Sequence, residues 1–429
     1  MCRHFFLQSS STSMNEQKKQ QRQFWIILFI VFLGFVGISM PYLIFPVLFL
    51  NPTYSILPAS WSESSQAFLL GITLAAYPLG QFLGSPILGS LSDDYGRKKL
   101  LSGSLLIAAL CNLLTGVAIA WPHLGLLIAS RFAAGLMEGN IAIARAMAAD
   151  LTTLPKQETF GKINAAASIA YLLGPFLGGV MAEKDLLPSL TASTPFYLTC
   201  ILFFCLAALS ALMLESHTLH TGNRKRSFWQ RINLIHRLSL LFANKHLQFL
   251  MLVSTCFTLA VDIFYEFAPV YLTAKWTLGP SQLVLYNGVL CFALAIGNGW
   301  LPNFASTRLS NRLAILYSTG GFALFLTGMT LTDSSFLMIL LFALSGLVIG
   351  LAVTLITVKI SNASPDCIQG EVMGTQLSLR VLGDALICLL GGILLILSSK
   401  LILIIAAAIS TAAMAYYASG NKKFSISRP

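Results

Sequence analysis

The sequence predicts an all-α integral membrane protein, with twelve transmembrane helices in two pseudo-symmetric six-helix bundles. Three observations predict it. Only 10% of the 429 residues are charged and 56% are hydrophobic, with a mean hydropathy of +0.77. A soluble domain carries about 25% charge, so this chain cannot clothe a water-facing surface. Apolar runs of membrane length, which need about 20 residues each, alternate with short polar islands. The basic residues are also sorted by side. Of the 27 Lys and Arg, only Lys184, Lys275 and Lys400 fall opposite the termini, and Arg131, Arg145 and Arg380 lie inside apolar runs. The positive-inside rule then places both termini in the cytoplasm, which requires an even number of spans.

A cytoplasmic tail, 1–23, comes first. Residues 1–13 are polar and unlike the rest, and Met14 opens a more natural start. The first apolar run is too long for the core of a cleavable signal. The N-terminal bundle, 24–214, holds spans 24–50, 64–88, 100–120, 124–149, 161–182 and 194–214. Spans two and three are joined by the charged island Gly89–Lys99, read as a short cytoplasmic hairpin in which glycines permit the turn. Asp93 stands four residues before Arg97, within pairing reach.

A basic linker, 215–246, interrupts the rhythm. Arg224-Lys225-Arg226 precedes Phe228, Trp229, Ile232, Ile235 and Leu238, the spacing of a basic amphipathic helix on the inner leaflet. The C-terminal bundle, 247–419, holds spans 247–273, 281–302, 313–331, 336–358, 370–397 and 401–419, and a cytoplasmic tail, 420–429, follows.

The two bundles echo each other. Gly135-Leu136-Met137-Glu138-Gly139 recurs as Gly346-Leu347-Val348-Ile349-Gly350 in the fourth span of each half. Gly161 matches Gly370, and Leu173-Gly174 matches Leu382-Gly383 at the same 209-residue offset, after which Pro175 gives way to Asp384. Repeats of this kind place a binding site between the halves near mid-membrane.

Composition excludes several functions. The net charge of +11 follows membrane topology, so it does not mark a nucleic-acid binder. The eight cysteines contain no C-x-x-C pair and read as small packing residues, and His217 with His220 in a basic loop is too sparse for a metal. No metal or other cofactor is expected. Without a P-loop the chain is not directly driven by ATP, and without intramembrane histidine or a nucleophile–base cluster it is not expected to be an enzyme.

Three motifs converge on one family. The island Gly89–Lys99 is the first. Ile128-Ala129-Ser130-Arg131-Phe132-Ala133-Ala134-Gly135, running on to Ala148-Ala149-Asp150, is the second. Gly174-Pro175-Phe176-Leu177-Gly178-Gly179 is the third. Together they resemble the major facilitator superfamily, and within it the twelve-helix drug:proton antiporter branch that includes tetracycline-type exporters. The resemblance implies a cytoplasmic latch at Gly89, Asp93, Gly96 and Arg97, a helix-end gate at Asp150, and an antiporter-type fifth span at Gly174, Pro175, Gly178 and Gly179. Asp94 departs from the pattern, where many members carry a basic residue. The counterpart near Asn303 and Arg308 is degenerate.

Charges inside the spans are the candidate site. An ionisable group in hydrocarbon costs at least about 3 kcal/mol unless it pairs or meets water. Arg131, Glu138 and Arg145 recur every seven residues on one helix face, with Arg131 and Glu138 about 10 Å apart along the axis. Asp262 and Glu266, four apart, read as two acids with no cation beside them, one of which holds a proton. Arg380 and Asp384, also four apart, read as a mutually neutralising pair. Proton-coupling and substrate roles are expected of Glu138, Asp262, Glu266, Asp384, Arg380 and Arg131, with Tyr42, Tyr77, Tyr171 and Tyr265 as further cavity residues.

The expected function is secondary active transport of a small organic solute by alternating access, as proton-coupled export of a drug or metabolite. The alternatives are proton-coupled import of an organic acid, amino acid or siderophore and, from other classes, a non-transporting receptor or a membrane-embedded enzyme. The expected partners are the small-molecule substrate, protons and the lipid bilayer, and the expected state is a monomer. The expected location is the plasma membrane, which in a bacterium is the inner membrane.

Overall fold

A computed structural model describes residues 2–40, 43–58, 60–151, 156–182, 190–215, 245–363 and 369–425. Among them, twelve helices are long and apolar enough to cross a membrane, from Gln17–Leu50 to Ser399–Gly420. Most of the basic linker 215–246, with Arg224 to Arg226, His217 and His220, lies outside the described residues, as does Tyr42.

The spans occur where expected, but three are built differently. The first helix runs over Cys2–Ser39 and resumes as Ile44–Leu50, so it begins far upstream of residue 24 and is interrupted. Met40-Pro41 explains the interruption, because a proline disfavours helix in the residue before it and lacks an N–H. The fourth span, expected to be continuous, is two helices, Leu124–Met137 and Gly139–Asp150, broken at Glu138. The eighth ends at Gly299, and a short helix, Leu301–Arg308, follows with Pro302 in its first turn.

The island Gly89–Lys99 is also corrected. The second span continues as Glu63–Tyr95 and the third begins at Arg97, so the hairpin shrinks to Gly96 alone. Gly96 has φ +93°, a backbone state that is strained for any residue with a Cβ. Gly89 lies inside the helix and makes no turn.

Two glycine-lined crossings hold the halves internally. A Cβ on Gly135 would strike the Tyr77 carbonyl, and one on Gly84 would strike that of Leu136, so spans two and four touch backbone to backbone. Spans eight and ten repeat this: Gly346 lies against the Leu290 carbonyl and Gly297 against that of Leu347. Small residues at such crossings supply dispersion contact where lipid offers no hydrophobic drive.

Between the halves, span two packs on span eleven and span five on span eight. These contacts concentrate at the face away from the termini. Gly71 meets the Gly392 backbone, and Gly179 meets Val284 and Pro280. At the same face Asn51 donates to the carbonyls of Thr277 (3.2 Å) and Leu278 (3.5 Å). The halves are thus shut at the loop face. Within the second half, Lys275 ties span seven to the 332–334 turn, reaching Asp333 at 2.7 Å and the Thr332 carbonyl at 2.5 Å.

Candidate functional site

Glu138 sits at the break in span four. Its N–H bonds the Gly135 carbonyl three residues back, tightening the turn, and Gly139 beyond it lies against Leu88 and Ser85 of span two. The carboxylate is buried at 7% exposure and takes a side-chain hydrogen bond from Tyr77. Arg131, one turn before Gly135, is buried beside the Tyr77 and Phe45 rings at 4.3 and 5.2 Å from their centroids. Arg131, Glu138, Tyr77, Asn112 and Asn140 line a small cavity in the first half together with apolar side chains.

The second half is organised otherwise than expected. Asp262 is held by Arg380 through a fork of contacts at 2.6, 3.0 and 3.1 Å. The expectation that span seven carries acids without a cation is therefore corrected for Asp262; Arg380 bonds Asp262 directly and attracts Asp384 without a direct contact among the described residues. The cation comes from span eleven, 118 residues away, a distance no local spacing reveals. Arg380 keeps 49% of its side-chain surface, while Asp262 keeps 6%.

Asp384 stands beside Glu266 and Cys388. Ligand atoms of the three lie within 4.8 Å of one another, the one grouping among the described residues with spacing suited to a cation. Cys388, expected as a packing residue, has its Sγ 4.0 Å from Asp384 Oδ1. The i, i+4 spacing of Asp384 and Cys388 was the available signal. Asp384 feels Glu266, Asp262 and Glu138 as like charges and Arg380 as an opposite one, and Arg131 feels Glu138 and Glu266 as opposite ones. All six charged candidates thus belong to one electrostatic cluster spanning both halves. The arrangement can hold protons on adjacent carboxylates and receive charged or polar groups. A small, mostly apolar cavity is lined by Leu43, Phe264, Tyr265, Tyr286, Leu290 and Phe342 among others.

Span five shows why its motif needs those residues. Gly174 lies against Ser39 and the Val36 carbonyl, and Gly178 against the Met40 carbonyl, so spans one and five meet without side chains between them. Pro175 cannot donate to the Tyr171 carbonyl four residues back. That carbonyl instead receives Cys291 Sγ of span eight at 3.7 Å, a contact between the halves. Arg97 begins span three as its first residue. The side chains of Asp93, Asp150 and Arg145 lie outside the described residues, and with them the expected latch and gate pairings.

The Major Facilitator Superfamily profile matches residues 24–387. The tetracycline resistance protein, class H, of Pasteurella multocida is 37% identical over 188 residues, covering 44% of this chain and 43% of that protein, so that relative is matched over less than half its length. Multidrug resistance protein 2 of Bacillus subtilis is 28% identical over 390 residues, covering 89% and 90%. Among solved structures, the human organic anion transporter MFSD10 (TETRAN) superposes with a TM-score of 0.68 at 16% identity, covering 93% and 99%. The nucleoside transporter NupG (D323A mutant) gives 0.70 at 13%, covering 92% and 99%. At those identities the likeness speaks for the fold.

Proposed function

Since this chain belongs to the Major Facilitator Superfamily, and is a membrane transporter and not an enzyme, we propose that it exports a small organic solute in exchange for protons. The carrying observation is the Glu266–Asp384 pair, two carboxylates from different spans with ligand atoms within 4.8 Å. Two such groups in a low-dielectric cavity do not both ionise cheaply, so the site stores a proton that a solute displaces. The drug-resistance relatives support the outward direction, since two of them are named for tetracycline and multidrug resistance.

The mechanism is alternating access. In the state described, the Gly71–Gly392 contact and the Asn51 hydrogen bonds shut the loop face, while half of the Arg380 side chain stays exposed. The basic bias assigns the termini to the cytoplasm, so this is a cytoplasm-accessible state. Solute enters, the loop-face contacts part, and the latch at Gly89, Asp93, Gly96 and Arg97 closes the other side, with Asp150 at the end of span four. Linker 215–246 joins the two moving bundles, and one chain suffices for the cycle. The plasma membrane is its place of action.

Inverted membrane vesicles test the reading. With tetracycline and a fluoroquinolone as probes, an acid-inside pH difference should drive accumulation of at least one, and nigericin should abolish it. Accumulation indifferent to nigericin would overturn proton coupling. Reporter fusions at the C terminus test the orientation: a strongly active alkaline phosphatase fusion contradicts it.

A further inference from the structure

Arg131 is 8% exposed, and its charge has no contact partner of opposite sign among the described residues. The contrast with Arg380 is direct: that guanidinium is gripped by Asp262, whereas Arg131 has only ring contacts and its buried Nε has no hydrogen-bond partner. Ring contacts engage a guanidinium through the aromatic faces and leave its N–H donors unused. Burying such donors without an acceptor is costly, so a protein that retains them there is shaped for an acceptor that arrives. The cavity they face also offers the amides of Asn112 and Asn140 and the apolar side chains of Ile38 and Phe203.

We propose that Arg131 is the docking point for an oxyanion carried by the transported solute, whose class is therefore an organic molecule with a carboxylate, sulfonate or similar group on an apolar body. The planar donor fork of Arg suits such a group better than a lone acceptor. Glu138, lining the same cavity, opposes the anion, so removing its charge strengthens docking. This inference rests on the transporter reading for the word solute, but its test is an equilibrium measurement without a gradient. Failure of proton coupling would leave it standing, and its failure would leave coupling standing.

The test uses purified full-length protein in dodecyl maltoside micelles, which hold no phosphate to compete. The probes are 8-anilinonaphthalene-1-sulfonate and N-phenyl-1-naphthylamine, the same rings with and without the anion, read by fluorescence against empty micelles. The wild type should bind the sulfonate at least tenfold more tightly than the neutral probe. Arg131→Gln should remove that preference while keeping the neutral probe within twofold, and Arg131→Lys should retain part of it. Glu138→Gln should tighten the sulfonate at least threefold and leave the neutral probe unchanged. A preference that survives Arg131→Gln overturns the proposal, as does a wild type without one. Should Arg131→Gln aggregate on gel filtration, the Glu138→Gln arm decides alone: no tightening overturns the assignment.

Discussion

The crossing of spans two and four and the crossing of spans eight and ten share a backbone but not a chemistry. Gly135 and Gly346 each press on a carbonyl, of Tyr77 and Leu290, and Gly84 and Gly297 do the same to Leu136 and Leu347. Onto this shared frame the first half hangs Arg131, Glu138 and Tyr77, where the second half has Phe342, Ile349 and Leu290. Phe342 meets the Phe264 ring at a tilt and the Tyr286 ring edge-on, with centroids 5.2 and 5.4 Å apart. Close helix approach is thus common to both copies, while charge has been placed differently. It lies in span four of the first half, and in spans seven and eleven of the second as Asp262, Glu266, Arg380 and Asp384. The cavity around Arg131 lies in the first half, and the mostly apolar one takes Leu43 from the first half and the rest of its lining from the second, a combination that suits an amphipathic solute.

The largest effects should come from the shared frame and fall equally on both halves. Gly135→Leu and Gly346→Leu each drive a side chain into a carbonyl, and each should cost about 3 kcal/mol or more. The check is folded yield after extraction and the melting temperature, and a half that tolerates its leucine would break the equivalence. Next comes the ion pair. Asp262→Asn should lower stability by about 2 kcal/mol, less than a fully buried pair would lose because Arg380 is half exposed. The double variant with Arg380→Gln should regain most of that in thermal melts, and no recovery would mean that the two residues act separately.

Much of this frame was legible beforehand. The repeated Gly-x-x-x-Gly segments, Gly135–Gly139 and Gly346–Gly350, marked one helix of each crossing as an element shared by the two halves, while Gly84 and Gly297 on the facing helices carried no such signal. The charged side chains were also found, since so few occur at membrane depth. Their partners were not. Asp262 and Arg380 meet across 118 residues, and helical spacing registers only neighbours three or four apart. The break at Glu138 was missed for a related reason. No proline marks it, and Gly139 just beyond it lies close against Leu88 and Ser85. Gly96 alone making the hairpin was hidden because Asp93 and Asp94 look like loop residues, yet they sit in the last helical turns.

A middle-sized effect sharpens the comparison further. Cys291→Ala should remove the S–H that serves the Tyr171 carbonyl, costing about 1 kcal/mol, while Cys291→Ser should keep it. Pro175→Ala supplies the missing N–H within span five and should make the Cys291 substitution nearly silent, as thermal melts would show. If Cys291→Ala costs the same in both backgrounds, the proline has no part in that contact. The smallest effect lies at the loop face. The hydrogen bond from Lys275 holds Asp333 below the usual carboxylate range, so this contact supports stability at neutral pH and is lost as pH falls through the lowered value. Asp333→Asn should flatten that acid limb and slightly lower the melting temperature at pH 7, as thermal melts across the pH range would show.

The central claim is that carboxylates between the halves carry the proton. The direct measurement compares two modes of transport in proteoliposomes, using whichever of tetracycline or a fluoroquinolone the wild type accumulates. One mode is uptake driven by a pH difference, and the other is exchange of labelled for unlabelled solute at equal pH. Glu266→Gln combined with Asp384→Asn should reduce driven accumulation at least tenfold and leave exchange within threefold, since exchange needs no net proton movement. If the doubly neutralised protein still concentrates solute against its gradient under the same pH difference, those carboxylates are not the proton carriers and the account is wrong.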